Sequence, residues 1–270
     1  LGAKAFESAA GFLRIENDNP LERTAVHPKD YQATGVLLSK LGLSLKDIGT
    51  PKATEILEEN PVSALVYGIS EGYEPLRKTV ADWLKKRNNI GKDDDTVIIT
   101  SGGTQVMDLT TRVMTSEGDT IICEEPSFVG SLNCFRSHGC KLKGVPIESD
   151  GMDVVALEKT VKETPNAKFI YTIPNFQNPG GTTLSWEKRK EIYRIAKEND
   201  LLILEDDPYG NLRVEGEDVP AIKTLDEDGI VLYAGSFSKI LAPGIRVAFA
   251  VVPKKIAKAF TIGKQVSDVH

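Results

Sequence analysis

From residue 95 onward, short apolar runs alternate with amphipathic stretches at a steady spacing. The runs fall at Thr96–Thr100, Thr120–Cys123, Lys141–Ile147, Lys168–Ile173, Leu201–Glu205, Ile230–Ala234 and Arg246–Val252. Most are nearly continuous rather than alternating, the pattern of strands covered on both faces. Helical periodicity fills the gaps at Thr104–Ser116, Asp153–Glu163 and Ser185–Asn199. The last of these opens on a candidate N-cap, Ser185, with Glu187 in its first turn, and Trp186, Ile192, Tyr193 and Ala196 can share one buried stripe. Strand–helix–strand repetition of this kind predicts a three-layer α/β/α fold with a seven-stranded, mostly parallel sheet. Only eleven residues, Gly235–Ile245, join the sixth and seventh strands, and they contain Pro243 and Gly244. A parallel crossover needs a dozen or more, so the last strand is expected to run antiparallel.

The first 95 residues read differently. Leu76, Val80, Trp83 and Leu84 recur at helical spacing within Glu74–Arg87, and a shorter helix is expected near Thr54–Glu59. The division expected is an N-terminal arm or partial small domain at 1–63 and a large domain at 64–270.

Composition narrows the classes of function. Lys and Arg number 33 against 39 Asp and Glu, a net charge of −6 that argues against nucleic acid or an anionic membrane surface as partner. No apolar run approaches the length of a membrane span, and no signal-peptide pattern opens the chain. Cys123, Cys134 and Cys140 form no C-x-x-C pair, and with only His27, His138 and His270 beside them neither a zinc site nor a Cys–His nucleophile is expected. A reduced, cytoplasmic protein is the expectation.

In a parallel sheet all strands deliver their carboxyl ends to one edge, where ligands bind. Five polar segments converge there: Ser101-Gly102-Gly103-Thr104 before a helix; Asn175-Phe176-Gln177-Asn178-Pro179-Gly180-Gly181; Glu205-Asp206-Asp207-Pro208-Tyr209; Ser236-Phe237-Ser238-Lys239; and Arg246 opening the antiparallel strand. Each has a plain structural reading: a tight turn, a Pro-Gly turn, a solvated strand end, a surface lysine. Together a glycine-lined helix N-terminus, a pair of hydroxyls, an arginine, a lysine and a carboxylate suit a ligand carrying a phosphate and a carbonyl. Pyridoxal 5'-phosphate has both, along with a pyridine nitrogen that wants a carboxylate partner.

From about Leu65 to His270 the chain resembles the fold-type I, class I/II pyridoxal-phosphate aminotransferases, most closely the aromatic, 2-aminoadipate and kynurenine-type branch. Tyr67-Gly68, Glu71-Gly72-Tyr73, Leu76-Arg77, Thr100–Gln105, Glu125–Phe128, Asn178–Gly181, Asp206–Tyr209, Ser236–Lys239 and Pro243–Arg246 carry the resemblance, in order and spacing. It implies that Lys239 binds the cofactor aldehyde as a Schiff base and then serves as general base and acid in a ping-pong amino transfer between an L-amino acid and a 2-oxo acid. Asp206 would keep the pyridine nitrogen protonated, and Tyr209 and Asn178 would bond the phenolic oxygen. Gly103, Thr104, Ser236, Ser238 and Arg246 would surround the phosphate, Gln105 would be a further cofactor-binding residue, and Phe128 would stack on the ring. Tyr67 would reach the phosphate of a neighbouring subunit, which implies a homodimer.

The resemblance also implies a further C-terminal small domain carrying the arginine for the substrate carboxylate. No residue here takes that role, so 270 residues is not expected to be the natural length. Phe128 and Gly103 depart mildly from the residues commoner in the family. Ser236-Phe237-Ser238-Lys239 fits the S-x-x-K pattern of serine acyl-enzymes, but the companion elements are absent. Alternatives within the fold are an effector-binding regulatory domain without turnover, or lyase or decarboxylase chemistry.

Overall fold

The computed structural model describes residues 18–24, 26, 28–59 and 69–268. The chain divides into two compact units, residues 1–67 and 68–270. In the first, Asn19 caps a single helical turn at Pro20–Arg23, accepting the Leu21 N–H at 3.1 Å. Two helices follow, α1 (Tyr31–Lys40) and α2 (Pro51–Glu59), and the second contains the short helix expected near Thr54.

The second unit is built on one eight-stranded sheet. Its elements, in chain order, are α3 (Glu74–Asn88), β1 (Thr96–Thr100), α4 (Gly103–Met114), β2 (Thr120–Glu125), α5 (Val129–Ser137), β3 (Lys141–Glu148), β4 (Gly151–Met152), α6 (Val154–Lys162), β5 (Ala167–Thr172), α7 (Trp186–Glu198), β6 (Leu202–Asp206), β7 (Val231–Ser236), β8 (Ala248–Val252) and α8 (Lys254–Gln265). The strand order is β1-β8-β7-β6-β5-β2-β3-β4. All seven expected strands form, and β8 runs antiparallel to both β1 and β7. The eighth strand corrects the expected count. It is a two-residue return of the chain onto β3, pairing Met152 with Ile147, too short to leave a hydrophobic period.

Side-chain alternation along the strands separates two cores. Val97, Ile99, Phe249 and Val251 point to the face where α3 lays Val80 and Leu84. Ile98, Ala250 and Val252 point the other way, joining Val106 and Leu109 of α4 and Phe260 of α8. The Ser185 hydroxyl accepts the Lys188 N–H at the start of α7, as its sequence foretold. Three helices are absent from the sequence reading: α1 in the first unit, and α5 and α8 in the second. In α5 only Ser131 and Phe135 are buried, and Gly130, Ser131 and Asn133 weaken its signal. Helix α8 rests on Phe260, Gly263 and Lys264. Among the described residues no helix is long and apolar enough to cross a membrane.

Candidate active site

Register brings three strand ends into one row. Ala248 at the start of β8 pairs with Thr100 at the end of β1 and with Ser236 at the end of β7. Just beyond that row Gly102 has φ +83° and ψ 164°, a conformation open essentially to glycine alone. A Cβ there would overlap the Arg246 guanidinium. Helix α4 then begins at Gly103 with no side-chain cap, so the N–H groups of its first turn and its dipole meet the guanidinium at Gly102. Arg246 is exposed, and its Nη1 donates to Pro243 O at 3.2 Å, which fixes the arm. Thr104 is also exposed, at the mouth of this turn. The arrangement is an anion cradle.

On the adjoining loop the Ser236 hydroxyl accepts the Ser238 N–H at 3.1 Å, and the Phe237 N–H donates to Val247 O at 3.1 Å. These bonds fix the turn that presents Lys239, which is exposed. The Gln105 amide, from a residue expected to bind the cofactor, bonds two protein partners. Its Oε1 accepts the Ser101 N–H at 2.7 Å, and its Nε2 donates to the Asp268 carboxylate.

The three acidic residues at the end of β6 are neither a metal cluster nor a solvated strand end. Alternation sends Asp206 to one face and Glu205 to the other. Glu205 is buried and accepts the N–H groups of Ile222 and Lys223 at 2.7 and 2.8 Å. Asp207, just past the strand, accepts Gly210 N–H and Asn175 Nδ2, both at 2.9 Å, and the Tyr233 hydroxyl at 3.1 Å. Asp206 is the carboxylate left for a ligand. Tyr171 Oη donates to its Oδ2 at 2.8 Å, and Ser131 Oγ lies 2.9 Å from the same phenol. Burial raises Asp206 to about 7 despite that bond, and the neighbouring Asp207 charge adds to the rise. Burial first, then the charge of Asp206, hold Tyr171 well above the ordinary phenol range, so it remains a donor. No ion pair to Asp206 occurs among the described residues.

The loop after β5 is held from beneath by two buried polar side chains. Arg189, wholly buried, donates to the carbonyls of Leu184, Pro174, Val219 and Pro220 and to Asn175 Oδ1, over 2.9–3.3 Å. Gln177 accepts the Gly180 N–H at 2.7 Å and donates to Pro126 O at 2.9 Å and Glu124 Oε2 at 3.1 Å. Glu124 also accepts Thr172 Oγ1 at 2.6 Å and the Ile173 N–H at 3.2 Å, while burial lifts it to about 7. So supported, Asn178 Nδ2 reaches to 3.4 Å from the Tyr209 hydroxyl. Phe176 stands at φ +48°, with the Arg213 guanidinium 4.7 Å from its ring centre. Phe176, Tyr209 and Leu212 border an open cleft of about 410 Å³. Phe128 stands exposed at the head of α5, its ring over Gly130, where a Cβ would strike it.

The structure thus brings Gly103, Thr104, Ser236, Ser238, Lys239, Arg246, Asp206, Asn178 and Tyr209 to the carboxyl edge of one sheet. Tyr67 lies outside the described residues. Sequence reasoning missed Tyr171, Ser131, Glu124, Gln177 and Arg189. The one available signal was a phenol and a charged residue inside runs otherwise apolar.

The chain as a whole has relatives among known proteins. The profile of the family described as Aminotransferase class I and II matches residues 46–266. The aromatic-amino-acid aminotransferase 1 of Thermococcus litoralis is 39% identical over 219 residues, 80% of this chain and 52% of the relative. The 2-aminoadipate transaminase of Thermus thermophilus is 35% identical over 272 aligned positions, 99% of this chain and 66% of the relative. The crystal structure of a kynurenine aminotransferase from Pyrococcus horikoshii superposes with a TM-score of 0.75 at 40% identity, covering 80% of this chain and 55% of that one. The chain spans between half and two thirds of the length of these two curated relatives.

Proposed function

The chain belongs to the class I and II aminotransferases, and on that footing we propose that it binds pyridoxal 5'-phosphate and moves an amino group between an L-amino acid and a 2-oxo acid. One observation carries the reading. Asp206 is a half-buried carboxylate, raised to about 7 chiefly by burial and without an ion pair among the described residues, on the strand next to the one that ends in Ser236 and leads to Lys239. A buried carboxylate in that state is best relieved by a cation, and a protonated ring nitrogen supplies one. The cradle at Gly102 fits the other end of the same molecule, since only a glycine leaves room for Arg246 at the helix N-terminus.

Bound there, the cofactor supplies an aldehyde that captures amino groups and a ring that accepts electrons from the substrate α-carbon. The chain's own residues supply the rest. Arg246, Ser238 and the N–H groups of Gly103 and Thr104 hold the phosphate. Asp206 keeps a proton on the ring nitrogen, and Tyr171 keeps Asp206 aimed and ionised. Asn178 and Tyr209 donate to the phenolic oxygen. Phe128 covers one face of the ring. Lys239 Nζ would hold the aldehyde end of the cofactor and, as general base and acid, would take and return the proton of the substrate α-carbon. The relatives' names make aromatic amino acids and 2-aminoadipate the first donors to try.

The test is spectroscopic. Protein loaded with pyridoxal phosphate should be yellow, and an amino acid from a broad panel should bleach the colour, with a 2-oxo acid restoring it. A yellow protein that no amino acid bleaches would support a binding domain without turnover. A colourless protein would refute the reading. The same reading makes the protein a homodimer, with Tyr67 of each protomer at its partner's phosphate. Light scattering should give twice the monomer mass, and Tyr67→Phe should weaken cofactor binding.

A further inference from the structure

Outside the proposed cofactor site, Asp108 on α4 and Cys134 and His138 on α5 turn toward one another. Each offers a donor atom, and the three donors all lie within 4.8 Å of one another. Cys134 and His138 are four residues apart, Cys134 in the last turns of α5 and His138 as its C-cap, so both project from one helical face. Asp108 faces them from the adjacent helix, its Oδ1 2.8 Å from His138 Nε2. Its other oxygen accepts Arg112 Nη2 at 3.0 Å. All three ligands are half-buried.

We propose that Asp108, Cys134 and His138 form a divalent transition-metal site of zinc type that fastens α4 to α5. A thiolate, an imidazole and a carboxylate together carry a charge of −2 and are the donors zinc prefers, whereas magnesium and calcium prefer oxygen alone. A plain ion-pair clamp needs only Asp108, His138 and Arg112. It gives no role to the thiol on the same face as His138. The geometry asks for little movement. Tetrahedral zinc at its usual bond lengths sets imidazole nitrogen and carboxylate oxygen about 3.4 Å apart, so the present pair opens by roughly half an ångström while the sulfur moves inward. Arg112 then keeps the place of an outer partner that orients the carboxylate. A fourth position is open to water, because Asp108 and Cys134 border a surface cleft of about 550 Å³.

The cleft continues past Gln105 to Ser101 and Thr104. Helix α4 therefore carries the anion cradle in its first turn and this cluster a little over one turn later. A bound metal would hold that helix against α5, which carries Ser131 beside the Tyr171 phenol and follows Phe128. None of the three ligands has a part in the proposed amino transfer, so the assignment stands apart from that reading.

Cobalt(II) serves as the probe, added to the whole chain after chelator treatment. The expected result is uptake of one ion, with visible d–d bands and a near-ultraviolet thiolate-to-metal band, all lost when zinc is added. Cys134→Ser should abolish the thiolate band, and His138→Gln or Asp108→Asn should weaken zinc binding tenfold or more. In chelator each variant should unfold at the parent's denaturant midpoint to within a small margin, which separates ligand loss from misfolding. Zinc should raise the midpoint of the parent and not that of Cys134→Ser. No cobalt uptake would overturn the assignment. So would a thiolate band that survives in Cys134→Ser, since the metal would then sit on Cys123 or Cys140.

Discussion

Asp206 shows how one residue can be poorly placed for the free chain and well placed for a ligand. Its carboxyl titrates near 7 in the fold against an ordinary 3.8, with burial as the main cause. A raised acid pKa means the folded chain holds its proton more tightly than the unfolded chain. Its contribution to stability is therefore full below about pH 4 and is lost as pH rises toward 7. Glu124 and Glu205, both lifted to about 7 by burial, act in the same direction. Urea midpoints of the cofactor-free protein at about pH 5 and pH 8 should differ less in Asp206→Asn than in the parent. An unchanged difference would mean that Asp206 is ionised and solvated. Tyr171 makes the complementary case. Its ring packs edge-on against Phe135 and Phe169 flanks that ring in turn, so Tyr171→Phe keeps the packing and removes only the donor. The expected loss is about 1.5–3 kcal/mol of support for the ionised carboxylate, read as weaker cofactor binding with an unchanged fold. Tyr171 was hidden in the sequence because a phenol inside Lys168–Ile173 looks like any aromatic of a buried strand.

At the scale of elements, the anion cradle is one glycine conformation joined to one helix end. Gly102→Ala puts a side chain where only hydrogen fits and where the Arg246 guanidinium already lies. A destabilisation of about 1–3 kcal/mol is expected, along with a marked loss of phosphate and cofactor affinity by equilibrium dialysis. A variant with full affinity would remove Gly102 from the cradle. Arg189→Met tests the support of the Asn178 loop. It strands buried carbonyls at Leu184, Pro174, Val219 and Pro220, so denaturation should show a loss on the order of 3 kcal/mol or more. Six of the seven expected strands were legible because burial on both faces writes nearly uninterrupted apolar runs, while β3, exposed along most of its length, left a weaker, interrupted run. The antiparallel direction of β8 was legible from the length of one connection. Strand β4 was not, because a two-residue pairing has no period. Helix α5 was not, because it buries just two side chains and contains weak helix formers. The cluster of Asp108, Cys134 and His138 escaped for the same reason, since the Cys-x-x-x-His spacing signifies a shared face only once α5 is known to be a helix.

Over the whole molecule, the sheet acts as the device that collects the site. Segments separated by well over a hundred residues, at Gly102, Asn178, Asp206, Ser236 and Arg246, meet because parallel strands end at one edge and β8 begins there. That convergence could be read from strand order and direction before any side chain was placed. The layer beneath it could not. Glu124, Gln177, Arg189 and Tyr171 each make at least one bond spanning fourteen to fifty-three residues, and no local pattern encodes such pairings. In the proposed function pyridoxal phosphate is anchored through Lys239. Incubation with the cofactor, borohydride reduction and peptide mass mapping put that anchor to the test. One stable adduct is expected, on the peptide containing Lys239, absent in Lys239→Ala and diminished by Gly102→Ala. An adduct spread over surface lysines, or one that persists in Lys239→Ala, would contradict it.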